Sequence, residues 1–388
     1  MVKVCVMVYT DEMMKLANGF ALASGFSLLL GALFQSGAQA ATDINWVQNE
    51  LDSQQFTSIE AFLAALPQDY RSSYALMYDS NSLQRATPLE PRVISYGTDA
   101  SLILAFNSGD STLGGSDTVE LIQFNEPETK FEFYEISKSS LTGKLQLTSE
   151  TTKCEACHRS DPRPNWQPYD NWPGAYGSND DMLAAVPTEQ TNFADFVKVA
   201  ANNPRYATLL NLSSSSSGDE VIGSTPNTAL INRIAQWNYM RAARLVRASQ
   251  NYAAYKYAIL GSADCYSSFE EFFPKNNQPP TNWNTLGGSQ DGWANAFIYI
   301  FASRNIAWQD WTTMIDGQTS ASFDNNPFVA GYTYGTDLIA NIVKQDVELQ
   351  AYATYSESNS YDNVMSRDVT VNNCDALATV SVQALSAL

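Results

Sequence analysis

From Arg92 onward the apolar residues of this chain fall into runs of period two, and that change of period constrains the fold more than any other feature. Four β-rich runs carry it: residues 92–96, 101–107, 118–125 and 130–137, separated by Gly/Asp/Ser or Asn/Pro turns. The third alternates over Val119, Leu121 and, across the pleat, Ile122 and Phe124; the fourth sets Phe131 and Phe133 against Glu132, Tyr134 and Ile136. Runs this short with turns this short join as neighbours, so an antiparallel meander is expected, with residues 144–148 as a fifth strand.

Helical spacing flanks the meander. Residues 45–52 and 58–66 form short amphipathic helices, the second through Ile59, Phe62, Leu63 and Leu66, and Pro67 ends it. Residues 70–78 are expected to continue helical up to the boundary at Pro88 and Pro91. Beyond the meander, helices are expected over 191–201, 204–212, 228–249, 251–260, 267–273, 293–314 and 336–352, with a flexible polar loop over 213–218 and a polar tail after 356. The fold class is therefore α+β, an antiparallel β meander followed by a loop and a mainly helical C-terminal half. Its segments are 1–40, then short helices over 41–90, the sheet over 91–150, the loop over 151–182 and a helical region over 183–388.

The first segment has the form of an export signal. Lys15 precedes the apolar run 16–34, and Ala38-Gln39-Ala40 is a small-residue cleavage site. Residues 1–13 form an N-terminal extension, since Asp11 and Glu12 do not suit the basic start of a signal. Glycines and small residues interrupt the run before it becomes a strong span, so no stable membrane insertion is expected after signal removal. The expected location is periplasmic or secreted. The net charge is −19, and the segment removed carries two lysines and two acids, so the mature chain keeps it. Such a surface repels nucleic acid and favours solubility or a basic partner.

Between sheet and helices lies the stretch with chemistry. Cys154-Glu155-Ala156-Cys157-His158 is a C-x-x-C-H motif in a chain with five cysteines and one histidine. Two thiols one turn apart can add to the two vinyl groups of one porphyrin, and the imidazole that follows meets the iron. The same spacing admits a disulfide, a redox dithiol or half a zinc site, but Cys5, Cys265 and Cys374 are isolated and no second histidine exists. Cys265 and Cys374 either pair, closing a loop of roughly 110 residues, or stay free.

The loop 161–178 adds Pro162, Pro164, Pro168 and Pro173 to Trp166, Tyr169, Trp172 and Tyr176. Those rings cover either a flat apolar group or a small core against the sheet. Arg159 and Arg163 are candidate propionate partners. Asp180 and Asp181 are expected to start the next helix. On the long helix, Arg233, Arg241, Arg244 and Arg247 form a basic strip, a solvated face in the simpler account and an anion contact in the sharper one. With one histidine, the sixth iron position falls to a methionine, Met182 or Met240 being best placed, or to another side chain, or stays open.

Across residues 154–158 the chain resembles c-type cytochromes, and the continuation RPNW…WPGAYGS…DD is similar to uncharacterised exported bacterial cytochrome-like proteins. Arg159 departs from the small soluble cytochromes, where Gly is frequent, and no distal-Met segment is recognisable. The resemblance implies one covalent haem c in a Gram-negative exported protein, with Cys154 and Cys157 as tethers and His158 as proximal ligand; Arg163 and Trp166 are the candidate contacts that the loop itself offers to that cofactor, a surface arginine and a small-core ring being the alternatives. It implies electron transfer with a redox partner protein. Two other functions stay open: a haem enzyme or gas or peroxide sensor with an open distal site, and a binding or surface-assembly protein with structural haem. Whether the chain is an enzyme is not decided by these residues.

Overall fold

The period-two runs pair in sequence order. β1 (Tyr74–Met77), β2 (Arg92–Ser95), β3 (Leu102–Phe106), β4 (Thr118–Asn125), β5 (Lys130–Lys138) and β6 (Leu145–Ser149) make one six-stranded antiparallel sheet. This computed structural model describes residues 42–80, 82–149, 151–158, 164, 174–178, 181–212, 227–288, 292, 296, 299–300, 332–359 and 365–388. The expected signal segment and most of the expected helix 293–314 lie outside those residues.

Register sorts the strand residues onto two faces. The pairs Leu76↔Val93, Leu104↔Leu121 and Ile136↔Leu147 point one way, and Ala75↔Ile94, Ile103↔Ile122 and Ile122↔Phe133 point the other. Both faces are covered, so β1, β2 and β3 are buried along their whole length and carry apolar residues on both sides of the pleat. On the first face lie α1 (Ile44–Gln54), α2 (Ile59–Ala65) and α5 (Pro187–Ala200), through Val47, Leu51, Phe62, Leu63, Phe193 and Phe196. Asp43 caps α1 by accepting from the Trp46 amide at 2.8 Å, and Ser58 caps α2 by accepting from the Ala61 amide. Each cap contributes about 1 kcal/mol.

The second face is covered by α6 (Asn227–Arg247), whose Leu230, Ile231 and Ile234 pack on Ala75, Ile94 and Ile103. The opposite side of α6, through Tyr239, Ala242, Ala243 and Val246, belongs to the C-terminal core. There it meets α7 (Tyr252–Asp264), α8 (Tyr332–Gln345), α9 (Cys374–Ser386) and the hairpin of β7 (Ala353–Asn359) and β8 (Met365–Val371). Cys265 and Cys374 are joined by a disulfide, which ties the start of α9 to the end of α7.

Three expectations are corrected. Residues 70–78 are not one helix: α3 (Gln68–Ser72) ends at an extended Ser73, and β1 follows. Ala75, Leu76 and Met77 are good helix formers, yet their backbone is claimed on one edge by β2 and on the other by the Tyr176 amide, which donates to Leu76 O at 2.9 Å. Residues 204–212 keep only a 3₁₀ turn at Tyr206–Thr208. The Thr208 and Leu210 carbonyls instead accept from Arg71 Nε and the Tyr74 hydroxyl. The helix expected over 336–352 stops at Gln345, because Asp346 leaves it to accept from the Glu348 amide and from Tyr252. The tail beyond 356 then holds the hairpin and α9, so the mainly helical C-terminal half also carries a small sheet.

Candidate cofactor-attachment site

β6 hands the chain directly to α4 (Thr151–His158), and the C-x-x-C-H motif occupies that helix. The expectation of a loop from residue 151 is corrected here, since its first eight residues are helical. Positions 154 and 158 stand at i and i+4, so the helix brings Cys154 and His158 to one face. Lys153 anchors the helix to the sheet, its Nζ lying 3.4 Å from both carboxylate oxygens of Glu135 on β5.

Beneath α4 the alternation of β4 and β5 has a specific result. Phe124 pairs with Phe131 and Ile122 with Phe133, so these four side chains share one face. Phe124 and Phe131 meet edge to face with centroids 5.0 Å apart. From α6, Trp237 stacks on Phe124 at 5.0 Å, and Met240 is buried among Phe124, Phe131 and Phe133. Half-buried Cys154 packs against this cluster, and the His158 ring lies 4.6 Å from Phe133, tilted by 48°. Trp237 is held by donating to Asp99 O at 2.8 Å, and Arg244 Nε donates to Thr129 O at 3.2 Å in the β4–β5 turn.

This set of groups fits a haem. A thiol and an imidazole on one helical face lean on an apolar, mainly aromatic wall with a thioether in it, where a flat hydrophobic ring is at home. Among the described residues no three His, Cys, Asp or Glu side chains gather as a metal cage, and a tethered haem, which takes one nitrogen from the motif, needs none.

The structure separates the two methionines. Met240 sits in the cluster that Cys154 touches, whereas Met182, half-buried, only precedes the 3₁₀ turn Leu183–Ala185. Arg163 and Trp166 lie outside the described residues, as do Arg159, Tyr169 and Trp172. Tyr176, at the loop's far end, packs in the sheet core with its ring 4.9 Å from Tyr78 and 5.3 Å from Phe193, which favours the small-core account for that ring. The expectation that Asp180 and Asp181 open a helix is corrected: Asp181 has φ +63 and α5 starts at Pro187.

The basic strip is not a solvated face. Arg241 is fully buried and donates from Nη1 to Asn238 Oδ1, Arg233 lies 5.7 Å over the Tyr96 ring, and of the four only Arg247 is exposed. The physical reason is that α6 is enclosed on both sides, by the sheet and by α8, whose Gln345 Nε2 donates to Met240 O at 3.1 Å.

Sequence reasoning passed over Glu189, which is buried and accepts from the Tyr78 hydroxyl, the Gly177 and Ser178 amides and the Ser178 hydroxyl. Burial, reinforced by that carboxylate, pushes the Tyr78 hydroxyl up to about 12. Gly174 completes the staple at φ +88, where a Cβ would stand 2.7 Å from Asp79 O. Its only sequence signal is the cluster Gly174, Gly177 and Ser178.

Comparison with known proteins gives no match: no family model, no curated protein and no solved structure is similar to this chain.

Proposed function

We propose that the chain is an exported mono-haem c-type cytochrome-like protein working in electron transfer, with one haem c tethered through Cys154 and Cys157 and His158 as proximal iron ligand. The observation that carries this is the placement of the motif on α4, with Cys154 and His158 laid against the Phe124–Phe133–Met240 wall. When bound, haem supplies a one-electron couple. The chain's own residues do the rest: α4 presents both donor types on one face, the wall beside them excludes water, and Met240, a member of that wall, is the methionine that would complete the iron's ligation. The wall's low polarity and a thioether ligand both favour the reduced, less charged iron and raise the potential. A net charge of −19 favours a basic redox partner. The disulfide between Cys265 and Cys374 supports an oxidising compartment, as export requires.

The deciding experiment is maturation of the full chain in a periplasm competent for haem attachment. The denatured product is expected to stain for haem and to carry the mass of one porphyrin, and Cys157→Ser is expected to lose covalent attachment by one thioether. A colourless chain weighing no more than its processed residues would overturn the assignment.

A further inference from the structure

Trp237 and Met240 stand three apart on α6 and so share a face of that helix, and both belong to the wall behind the motif. Phe124, Phe131, Phe133 and Met240 are at most 7 % exposed, whereas Trp237 is only half-buried and carries the wall's aromatic surface out to solvent. Its indole is fixed there from two directions. The Nε1–H donates to Asp99 O at 2.8 Å, and the ring stacks on Phe124 with centroids 5.0 Å apart and planes 26° apart. Phe124 in turn meets Phe131 at 5.0 Å, and Cys154 packs against the same buried cluster as Trp237. One layer of close-packed side chains therefore links the motif to the surface. Electrons tunnel further through packed atoms than across a gap. We propose that Trp237 is the contact through which electrons pass between the motif and a cationic one-electron carrier, an inference that rests on the haem assignment above. Tryptophan is enriched among the residues that carry interface energy, and this one is held on its inner side while its outer side stays open. The carrier's sign follows from the net charge of −19, which draws cations and turns anions away. Asp99, whose carbonyl holds the indole, is itself exposed, and Arg233, one turn earlier on α6, is occupied with the Tyr96 ring.

The test uses the haem-loaded full chain, its added mass verified first, reduced and then mixed in stopped flow with tris(phenanthroline)cobalt(III), a cationic one-electron oxidant. The cobalt complex takes up the one electron that the iron gives up, and no bond or proton moves. Trp237→Ala is expected to lose most of the wild-type rate at an unchanged reduction potential, and Trp237→Phe, which keeps a ring on Phe124, to retain most of it. Tyr266→Ala, which removes an exposed ring just after α7, is expected to leave the rate alone. The wild-type rate is expected to fall as salt is added, since screening weakens the attraction. A wild-type rate in Trp237→Ala, an equal loss in Tyr266→Ala, or a loss accounted for by a shift in potential would overturn the role of Trp237. A rate that rises with salt would overturn the cationic carrier. Trp237→Leu replaces Trp237→Ala if that variant does not mature; failure of both beside a normal Tyr266→Ala would leave only a structural role and overturn the proposal. A wild-type chain lacking the added mass overturns the haem assignment itself, a distinguishable result.

Discussion

The Tyr78 hydroxyl donates to the Glu189 carboxylate at 2.9 Å, joining the end of β1 to the first turn of α5 across the segment that returns from the C-x-x-C-H helix. The same carboxylate takes the Gly177 and Ser178 amides at 3.0 and 3.2 Å, so one buried acid holds the far end of the loop after the motif. Glu189→Ala leaves those amides buried without acceptors and is expected to cost about 3 kcal/mol, whereas Tyr78→Phe, which removes one donor of several, costs about 1 kcal/mol. Urea unfolding of both variants checks the order. Equal losses would mean the amides find water.

The disulfide between Cys265 and Cys374 spans 109 positions. Closing a loop of that length is worth about 4–5 kcal/mol in the chain-entropy account. The double variant Cys265→Ser, Cys374→Ser is expected to unfold earlier by that order. Mass spectrometry of the wild type should show a gain of two hydrogens on reduction. No gain would remove the bridge.

Lys256 and Asp346 make stability depend on pH at both extremes. Burial alone pushes Asp346 up, but the Tyr252 hydroxyl and Lys256 outweigh it and hold the carboxyl below its usual value. Burial alone pulls Lys256 down, and Glu348 and Asp346 outweigh it in the other direction. The acid's contribution is therefore present above the unfolded value of about 3.9 and is lost as pH falls through the lower folded value. The lysine's is present below about 10.4 and is lost as pH rises through the raised folded one. Lys256→Met is expected to cost about 1–2 kcal/mol at neutral pH. That difference should shrink below about pH 4, as Asp346 protonates. A pH-independent difference in unfolding midpoint would contradict the pairing.

Met240 offers a test of the distal side. Loaded wild-type protein is expected to be low-spin and indifferent to carbon monoxide, while Met240→Ala becomes responsive to it and loses potential. Met182→Ala is expected to change neither. A wild type that already binds carbon monoxide would favour ligand chemistry over electron transfer.

Most of the sheet was legible because β4 and β5 alternate, and their expected limits 118–125 and 130–137 differ from the observed strands by at most one residue. β1 was not legible: Tyr74, Ala75, Leu76 and Met77 are buried on both faces and show no alternation to separate strand from helix. At the site, Cys154, Cys157 and His158 announce themselves by spacing alone. Phe133 does not, because its partner is 25 positions away and only the β5–β6 turn and α4 bring His158 back over it. Arg241 misled for a related reason, since a charge pattern on one helix carries no information about what packs over that helix.

One helix belongs to two interiors at once. α6 gives Leu230 and Ile234 to the sheet, and Tyr239 and Val246 to the disulfide-tied C-terminal core. Cleaving the chain ahead of residue 227 would therefore not release an autonomous N-terminal fragment; it would strip the sheet of a wall and bare Ile94 and Ile103 to solvent. Met240 and Trp237, which complete the wall that Cys154 rests on, would go with it, so any cofactor at this motif becomes a reporter on whether the C-terminal portion has folded.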